Sequence, residues 1–191
     1  MTPLILRLSQ SGQAVNWIPW QDAVLYYAKD QVAWTLGDET LRFYGGVNRI
    51  RNERSYMDIH PIIAVQGDKG RSVMGSVPTL NNRELFRRDG HTCMYCLSTL
   101  SERHLTRDHV IPMSRGGRNV WMNVVTACRA CNQRKADQLL SETTMRLHAV
   151  PYTPNRAEWL ILRNRHILAD QMAFLEGQCP KDRRPKNDVT R

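Results

Sequence analysis

The stretch that decides the fold runs from Cys93 to Asp137 and reads CMYCLSTLSERHLTRDHVIPMSRGGRNVWMNVVTACRACNQRKAD. It holds two cysteine pairs of C-x-x-C spacing, Cys93/Cys96 and Cys128/Cys131. Each pair places its thiolates where one tetrahedral ion can bind both, and two such pairs complete an all-cysteine site with no open position. The pattern therefore predicts a structural zinc site that frames the residues between the pairs.

Disulfide bonds are the alternative use of these cysteines. The segment from Met1 to Gly12 has only a short apolar run interrupted by Arg7, which is not the pattern of a secretory signal. No segment of the sequence approaches the roughly 20 apolar residues needed to cross a bilayer. We therefore expect a cytoplasmic protein, in which reduced thiols favour zinc over disulfides. The fifth cysteine, Cys179, stands apart from both pairs.

Length and charge set wider limits on the function. The chain has 191 residues, 41% of them hydrophobic, enough for one full domain and a smaller companion. Residues 1–80 hold 8 Lys/Arg against 7 Asp/Glu, and residues 81–191 hold 19 against 11, so +8 of the net +9 lies in the second part. Basic charge beside a candidate site indicates a polyanionic partner, most simply nucleic acid. A basic surface that serves only solubility is the alternative.

The residues between the cysteine pairs include groups that could hydrolyse a phosphodiester bond. His109 can take a proton from water near neutral pH. Asp108 and Asn132 carry hard oxygen atoms, the ligands that Mg²⁺ or Mn²⁺ prefers. Waters and the scissile phosphate could fill the remaining positions around such an ion. These side chains are therefore chemically sufficient for a nuclease that uses one metal ion.

Four short motifs occur here in order: Asp-His-Val-Ile-Pro at 108–112, Ser-Arg-Gly-Gly at 114–117, Asn-Val-Val-Thr-Ala-Cys at 123–128 and Cys-Asn-x-x-Lys at 131–135. In residues 91–137 the chain resembles the HNH endonuclease family of ββα-metal nucleases, specifically the small bacterial type with a four-cysteine zinc site. A less specific likeness extends over residues 14–36.

The resemblance implies a role for each motif residue. His109 would be the general base, Asp108 and Asn132 would hold the catalytic Mg²⁺ or Mn²⁺, and Asn123 would orient the histidine. Cleavage would leave 5′-phosphate and 3′-hydroxyl ends. Asparagine stands at the third motif position, where some relatives carry histidine, and this favours Mg²⁺ or Mn²⁺ over zinc at the catalytic centre. Successive residues of a regular strand point to opposite faces, so local twist would have to bring Asp108 and His109 to one phosphate.

The implied fold is α+β, with a zinc-stapled ββα-metal HNH nuclease core, a small mixed α/β N-terminal region and a C-terminal packing helix. We expect the accessory region at 1–80, the nuclease domain at 81–150, the helix at 151–178 and a basic, disordered tail at 179–191. Inside the nuclease domain, residues 105–111 should pair with residues 123–127, and a helix should start near Arg129.

Local patterns predict further elements. Residues 32–36 and 41–44 look like a hairpin around Gly37-Asp38, and residues 48–58 like an exposed loop or arm. Asn81 and Glu84 have the spacing of a capping box that opens a short helix ending at Asp89-Gly90. Thr153-Pro154 begins a segment with apolar residues at helical spacing up to Gly177.

The sequence thus predicts a metal-dependent DNA endonuclease. Its substrate is most simply double-stranded DNA. The alternative is a non-catalytic zinc-ribbon protein that binds nucleic acid or serves as an adaptor. Such a protein has no need for a carboxylate, a histidine and two asparagines at nuclease spacing, so their joint presence favours the enzyme. Basic residues that could hold DNA phosphates are Arg107, Arg115, Arg118, Arg129, Arg134 and Lys135.

Overall fold

A computed structural model describes residues 2–67 and 77–183. The helices and strands in chain order are β1 (Ile5–Ser9), β2 (Ala14–Ile18), α1 (Trp20–Ala28), β3 (Val32–Leu36), β4 (Leu41–Asn48), β5 (Glu53–Ile59), β6 (Ile62–Val65), α2 (Asn82–Arg88), β7 (Leu105–His109), β8 (Val124–Cys128), α3 (Arg129–Lys135), α4 (Arg156–Arg163) and α5 (Ala169–Gly177). They form two compact units: unit 1 within residues 1–76 and 156–191, and unit 2 within residues 77–155. None of the helices in the described ranges is long and apolar enough to cross a membrane.

Unit 1 is built on a four-stranded sheet of order β2-β1-β6-β3. Strand β6 is a continuous apolar run with every residue buried, so it occupies the interior of the sheet. It pairs with β1 in parallel and with β3 in antiparallel orientation. The hairpin predicted for residues 32–36 and 41–44 is therefore wrong, because the buried strand β6 takes β3 as its partner.

Strand β4 pairs instead with β5 in a separate two-stranded antiparallel sheet. The inward side chains of this hairpin join a core cluster that also contains Ile5, Ile18 and Ile63. Within that cluster the rings of Trp20 and Phe43 stack with centroids 4.6 Å apart. The predicted loop or arm at 48–58 is thus exposed along much of its length, but most of it is strand.

The C-terminal segment of unit 1 forms two helices, so the single helix predicted at 151–178 is wrong. Asn164 interrupts it, because its Oδ1 accepts a hydrogen bond from the backbone N–H of His166 at 3.0 Å and turns the chain. The second helix begins at Ala169, and Gln171 Oε1 caps it by accepting a hydrogen bond from the N–H of Leu168 at 3.1 Å. The disorder expected for the tail at 179–191 is wrong for its first residues, because Cys179 is buried in the core and Lys181–Arg183 form a 3₁₀ turn. Residues 184–191 lie outside the described residues.

Unit 2 contains the predicted ββα arrangement. Strands β7 and β8 pair in antiparallel register from Leu105 opposite Cys128 to His109 opposite Val124, and α3 follows β8 directly. Helix α2 begins as predicted, with Asn81 Oδ1 accepting from the N–H of Glu84 at 3.0 Å. The mixed α+β fold class is confirmed. The domain boundaries derived from the sequence remain a prediction.

Candidate functional site

The four paired cysteines meet in unit 2. Their sulfur atoms all lie within 4.8 Å of one another, which is the spacing that a shared tetrahedral ion requires. The second pair is positioned by the β8–α3 junction, where Cys128 Sγ accepts from the N–H of Cys131 at 3.4 Å and caps the helix. The thiols of Cys93, Cys128 and Cys131 are buried and that of Cys96 is exposed. This cluster can hold a zinc ion.

Local surroundings shift the thiol pKa values of the cluster in different directions. Burial raises the pKa of Cys93 and that of Cys131 above the ordinary thiol value. Hydrogen bonding with Ser98 lowers the pKa of Cys96 to about 6. Zinc takes thiolates as ligands, so binding must displace protons from the buried thiols and is expected to weaken as the pH falls.

A second, separate arrangement brings His109 and Asn132 together. Both line an open cleft of about 320 Å³, His109 from the end of β7 and Asn132 from α3. The Asn132 amide nitrogen donates to Thr106 Oγ1 at 2.9 Å and to the carbonyl of Arg107 at 3.2 Å. Its Oδ1 accepts no hydrogen bond from any residue that the structure describes. The cleft thus combines an imidazole with an available amide oxygen.

Asp108 also borders this cleft, but its side chain is only 5% exposed. Its Oδ2 accepts a hydrogen bond from the Tyr95 hydroxyl, and its Oδ1 lies 3.3 Å from the Lys135 ammonium. Alternation along β7 turns this carboxylate inward while its neighbour His109 is half-exposed. Both carboxylate oxygens are therefore already bonded within the protein.

Two cysteine pairs around a ββα unit, with the imidazole and amide at one cleft, agree with the family inferred from the sequence. Residues 93–148 match the HNH endonuclease family. This HNH segment contains both cysteine pairs and all four motif residues named above. A search of curated proteins finds no match to the chain.

The basic residues of the HNH segment differ in their access to a substrate. Lys135 is fully buried, and its ammonium donates to the carbonyl of His109 at 2.7 Å as well as to Asp108. The prediction that Lys135 binds a DNA phosphate is therefore wrong in this structure, because the group is enclosed by its protein partners. Arg107 is half-buried and lines the cleft. The other candidates are exposed, namely Arg115, Arg118, Arg129 and Arg134.

The long loop of the HNH segment between β7 and β8 is tied down by Asn123. The Asn123 carboxamide accepts from the N–H of Ile111 at 2.9 Å and donates to the carbonyls of Ile111 at 3.0 Å and Arg118 at 2.9 Å. Gly117 passes so close that a Cβ atom there would lie 1.8 Å from the Ile111 carbonyl oxygen. Asn123 therefore fixes the path of the loop that follows His109.

Asn119 is a site residue that the sequence reasoning missed. Its Oδ1 lies 3.1 Å from His109 Nε2 and accepts from the Arg107 guanidinium at 2.9 Å. The motif pattern contains no signal for it, since Asn119 lies ten positions from His109 and reaches the ring only because the loop folds back. Its oxygen links the imidazole to the arginine at the edge of the cleft.

Proposed function

We propose that the protein is a metal-dependent DNA endonuclease that hydrolyses phosphodiester bonds at the cleft of its HNH segment. The observation that carries this proposal is that His109 and Asn132 line the same open cleft although they lie on different elements. The volume of about 320 Å³ and the open mouth leave room for a backbone phosphate between them. The cysteine cluster would keep β8 and α3 in place and take no part in the reaction.

The hydrogen bond of the His109 ring suggests which nitrogen acts as the base. Asn119 Oδ1 already accepts from Arg107, which identifies this atom as an acceptor towards His109 Nε2 as well. Nε2 then carries the ring proton, and Nδ1 is the free nitrogen that can take a proton from water. His109 is thus proposed as the general base, with Asn119 holding its tautomer and orientation.

Asn132 and Asp108 are the proposed ligands of a catalytic Mg²⁺ or Mn²⁺. The unpartnered Asn132 Oδ1 fits a hard cation. Asp108 has two bonded oxygens, but a carboxylate offers about four lone-pair positions, so it can still accept a further partner. When bound, the ion would neutralise charge on the phosphate and departing oxygen atoms.

Arg107 is the side chain best placed to receive the substrate phosphate. Its Nε atom is buried and has no hydrogen-bond partner among the described residues. Burial also lowers the pKa of the guanidinium, because the charged form is poorly solvated there. A phosphate in the cleft would supply the opposite charge to this guanidinium.

The test is nicking of supercoiled plasmid with Mg²⁺, with Mn²⁺ and with excess EDTA. We expect metal-dependent nicking that falls about 100- to 10,000-fold in His109→Ala, the range that general bases contribute. His104→Ala is the matched control, because His104 is an exposed histidine of the same segment. Asn132→Ala should lose metal-dependent activity while its zinc content stays unchanged. Equal nicking by wild type and His109→Ala would refute the proposal.

One observation favours the second candidate, a non-catalytic zinc protein that binds nucleic acid. The Tyr95–Asp108–Lys135 arrangement has the properties of a buried structural ion pair, and a binding protein could retain it for stability alone. This candidate predicts DNA binding that is identical in wild type and His109→Ala, with no metal-dependent nicking by either protein.

A further inference from the structure

The β4–β5 hairpin of unit 1 carries an exposed face of arginine and tyrosine. Arg42 pairs with Asp58 across the strands, and Tyr44 pairs with Tyr56. Alternation places these side chains on the outside, while Leu41, Phe43 and Met57 turn into the core. The outer face is therefore available to a partner without disturbing the fold of unit 1.

Cation–π contacts hold this outer face in a defined arrangement. The Arg42 guanidinium lies 4.3 Å from the centroid of the Tyr56 ring, and that of Arg54 lies 5.2 Å from the Tyr44 ring. The two rings are 6.4 Å apart and remain 54% and 58% exposed. Exposed aromatic rings interleaved with guanidinium groups are typical of surfaces that contact nucleic acid.

The tip of the hairpin is the sequence Arg49-Ile50-Arg51. Ile50 is 95% exposed, and both neighbouring arginines are exposed. Asn48 Oδ1 accepts from the N–H groups of Ile50 at 2.9 Å and Arg51 at 3.2 Å, so the turn is held in one shape. An apolar side chain at the end of an ordered turn, between two positive charges, has no role in the core of unit 1.

The charge of the hairpin favours an anionic partner. Residues 41–59 hold four arginines and two acidic residues. Asp58 is engaged by Arg42 through two hydrogen bonds of 2.7 and 2.8 Å. Glu53 is exposed at the start of β5. The arginines at the tip and Arg54 therefore outnumber the remaining acid.

We propose that the β4–β5 hairpin is a second DNA-binding element, an arm that grips duplex DNA with its tip in the minor groove. The minor groove is about 6 Å wide, which admits a turn but not the full width of a two-stranded ribbon. Minor-groove proteins use arginine to read the groove and insert apolar wedges between base steps. Arg49 and Arg51 would take the first role and Ile50 the second, while Arg54 and the tyrosines follow the phosphate backbone.

This inference rests on the proposed function only in that the substrate is DNA, and binding can be measured without cleavage. Fluorescence anisotropy with a labelled 30-base-pair duplex, using zinc-loaded full-length protein without added Mg²⁺, measures affinity as a function of salt. We expect Arg49→Ala/Arg51→Ala to weaken duplex binding at least tenfold. The slope of log affinity against log salt should fall by about 2, because two positive charges that displace counterions from the DNA are removed.

Lys29→Ala/Arg165→Ala is the matched control, because it removes the same charge from exposed positions of unit 1 outside the hairpin. We expect it to weaken binding by less than twofold. Equal losses in both double variants would mean that only overall charge matters, and would overturn the proposal. Tighter binding of a single strand than of the duplex, with the same dependence on Arg49 and Arg51, would overturn it as well.

Ile50→Ala tests the wedge separately. Energy transfer between dyes at the two duplex ends should show a bend with wild type that is reduced by this variant, while the salt dependence is unchanged. An identical bend in both proteins would exclude Ile50 as the wedge. Plasmid nicking measured in parallel separates this proposal from the proposed nuclease. If Arg49→Ala/Arg51→Ala loses DNA binding and the wild type does not nick plasmid, the nuclease is refuted and the arm is supported.

Discussion

At the scale of single residues, Arg88 connects several segments of unit 2. Its guanidinium donates to the carbonyls of Trp121, Val124 and Tyr152 at 3.1, 2.8 and 2.9 Å. It also pairs at 2.8 Å with Asp89, whose other oxygen accepts from the N–H of Thr126 at 2.7 Å. The side chain is 1% exposed, so this charge is balanced entirely by protein groups.

Arg88→Ala should destabilise unit 2 by about 3–5 kcal/mol, because it leaves a buried carboxylate and three carbonyls without their partner. Chemical denaturation followed by circular dichroism measures the loss. Arg83→Ala on the exposed side of the same helix is the control, with an expected change within about 0.5 kcal/mol. Similar effects of both substitutions would contradict a structural role for the Arg88 network.

Tyr95 links stability to alkaline pH. Burial, and then the hydrogen bond to Asp108, raise the pKa of its hydroxyl above the ordinary value of 10.0. The neutral phenol is thus favoured in the folded state, so its contribution to stability is complete below about pH 10 and is lost as the pH rises towards the folded-state pKa.

Above pH 10, the free energy of unfolding of Tyr95→Phe should therefore fall less steeply with pH than that of wild type. At neutral pH it should be less stable by about 1–3 kcal/mol, since Asp108 keeps a buried oxygen without its donor. Denaturant midpoints measured from pH 7 to 11 test both statements. Parallel curves for the two proteins would rule out a perturbed Tyr95.

The sequence motifs identify His109 and Asn132 as residues of the cleft, but not the side chains that contact the motif residues. The two can be placed near each other from the sequence, because the hairpin and the helix that follows it are both predicted. Lys135 was misjudged, since helical spacing does not reveal that a carboxylate and a carbonyl on β7 face that position. Asn119 depends on the path of a loop, which local periodicity does not describe.

At the scale of elements, the loop between β7 and β8 brings Asn119 to the His109 ring. Its shape results from the three Asn123 hydrogen bonds and from the close approach of Gly117 to Ile111. The predicted pairing of residues 105–111 with residues 123–127 already implies a connecting segment here. Only the structure shows that residue 117 must be glycine, because a Cβ atom there would overlap the Ile111 carbonyl oxygen.

Gly117→Ala should displace the loop, because no real Cβ atom can lie 1.8 Å from a carbonyl oxygen. We expect nicking to fall about 100-fold through misplacement of His109, with unchanged zinc content. Gly116→Asn is the control: this position has a positive φ that asparagine tolerates, and open space around it. Full activity of Gly117→Ala would show that the loop does not position the base.

At the scale of the whole molecule, the two units differ in how far the sequence predicts them. Unit 2 follows from local signals, namely the cysteine spacing, the Asn81 cap and the hairpin. Unit 1 brings Leu6 and Ile62 into one core with Leu160 and Leu175 of the C-terminal helices. Pairing of such distant segments leaves no periodic pattern in either segment, which is why the sequence does not predict β6 as the partner of β3.

Loss of zinc should unfold unit 2 and spare unit 1. Cys128→Ser keeps a good capping group for α3 while removing one ligand, so it isolates the effect of the metal. We expect less than one zinc per chain and the loss of one calorimetric transition, with greater zinc release at acid pH. Cys179→Ser is the control, as this thiol lies in the core of unit 1. An unchanged melting profile of Cys128→Ser would contradict the zinc frame.

Unit 1 combines residues 1–76 with residues 156–191, and this division matters for biosynthesis. A ribosome delivers β1, β2 and β6 early, yet the side chains that cover Leu6 and Leu8 arrive only with the last helices. Until those helices are available, the first sheet keeps this apolar surface uncovered. Nascent chains halted just before Arg156 should therefore bind chaperones through the β1–β6 surface, and release them once residues 156–179 have left the ribosome.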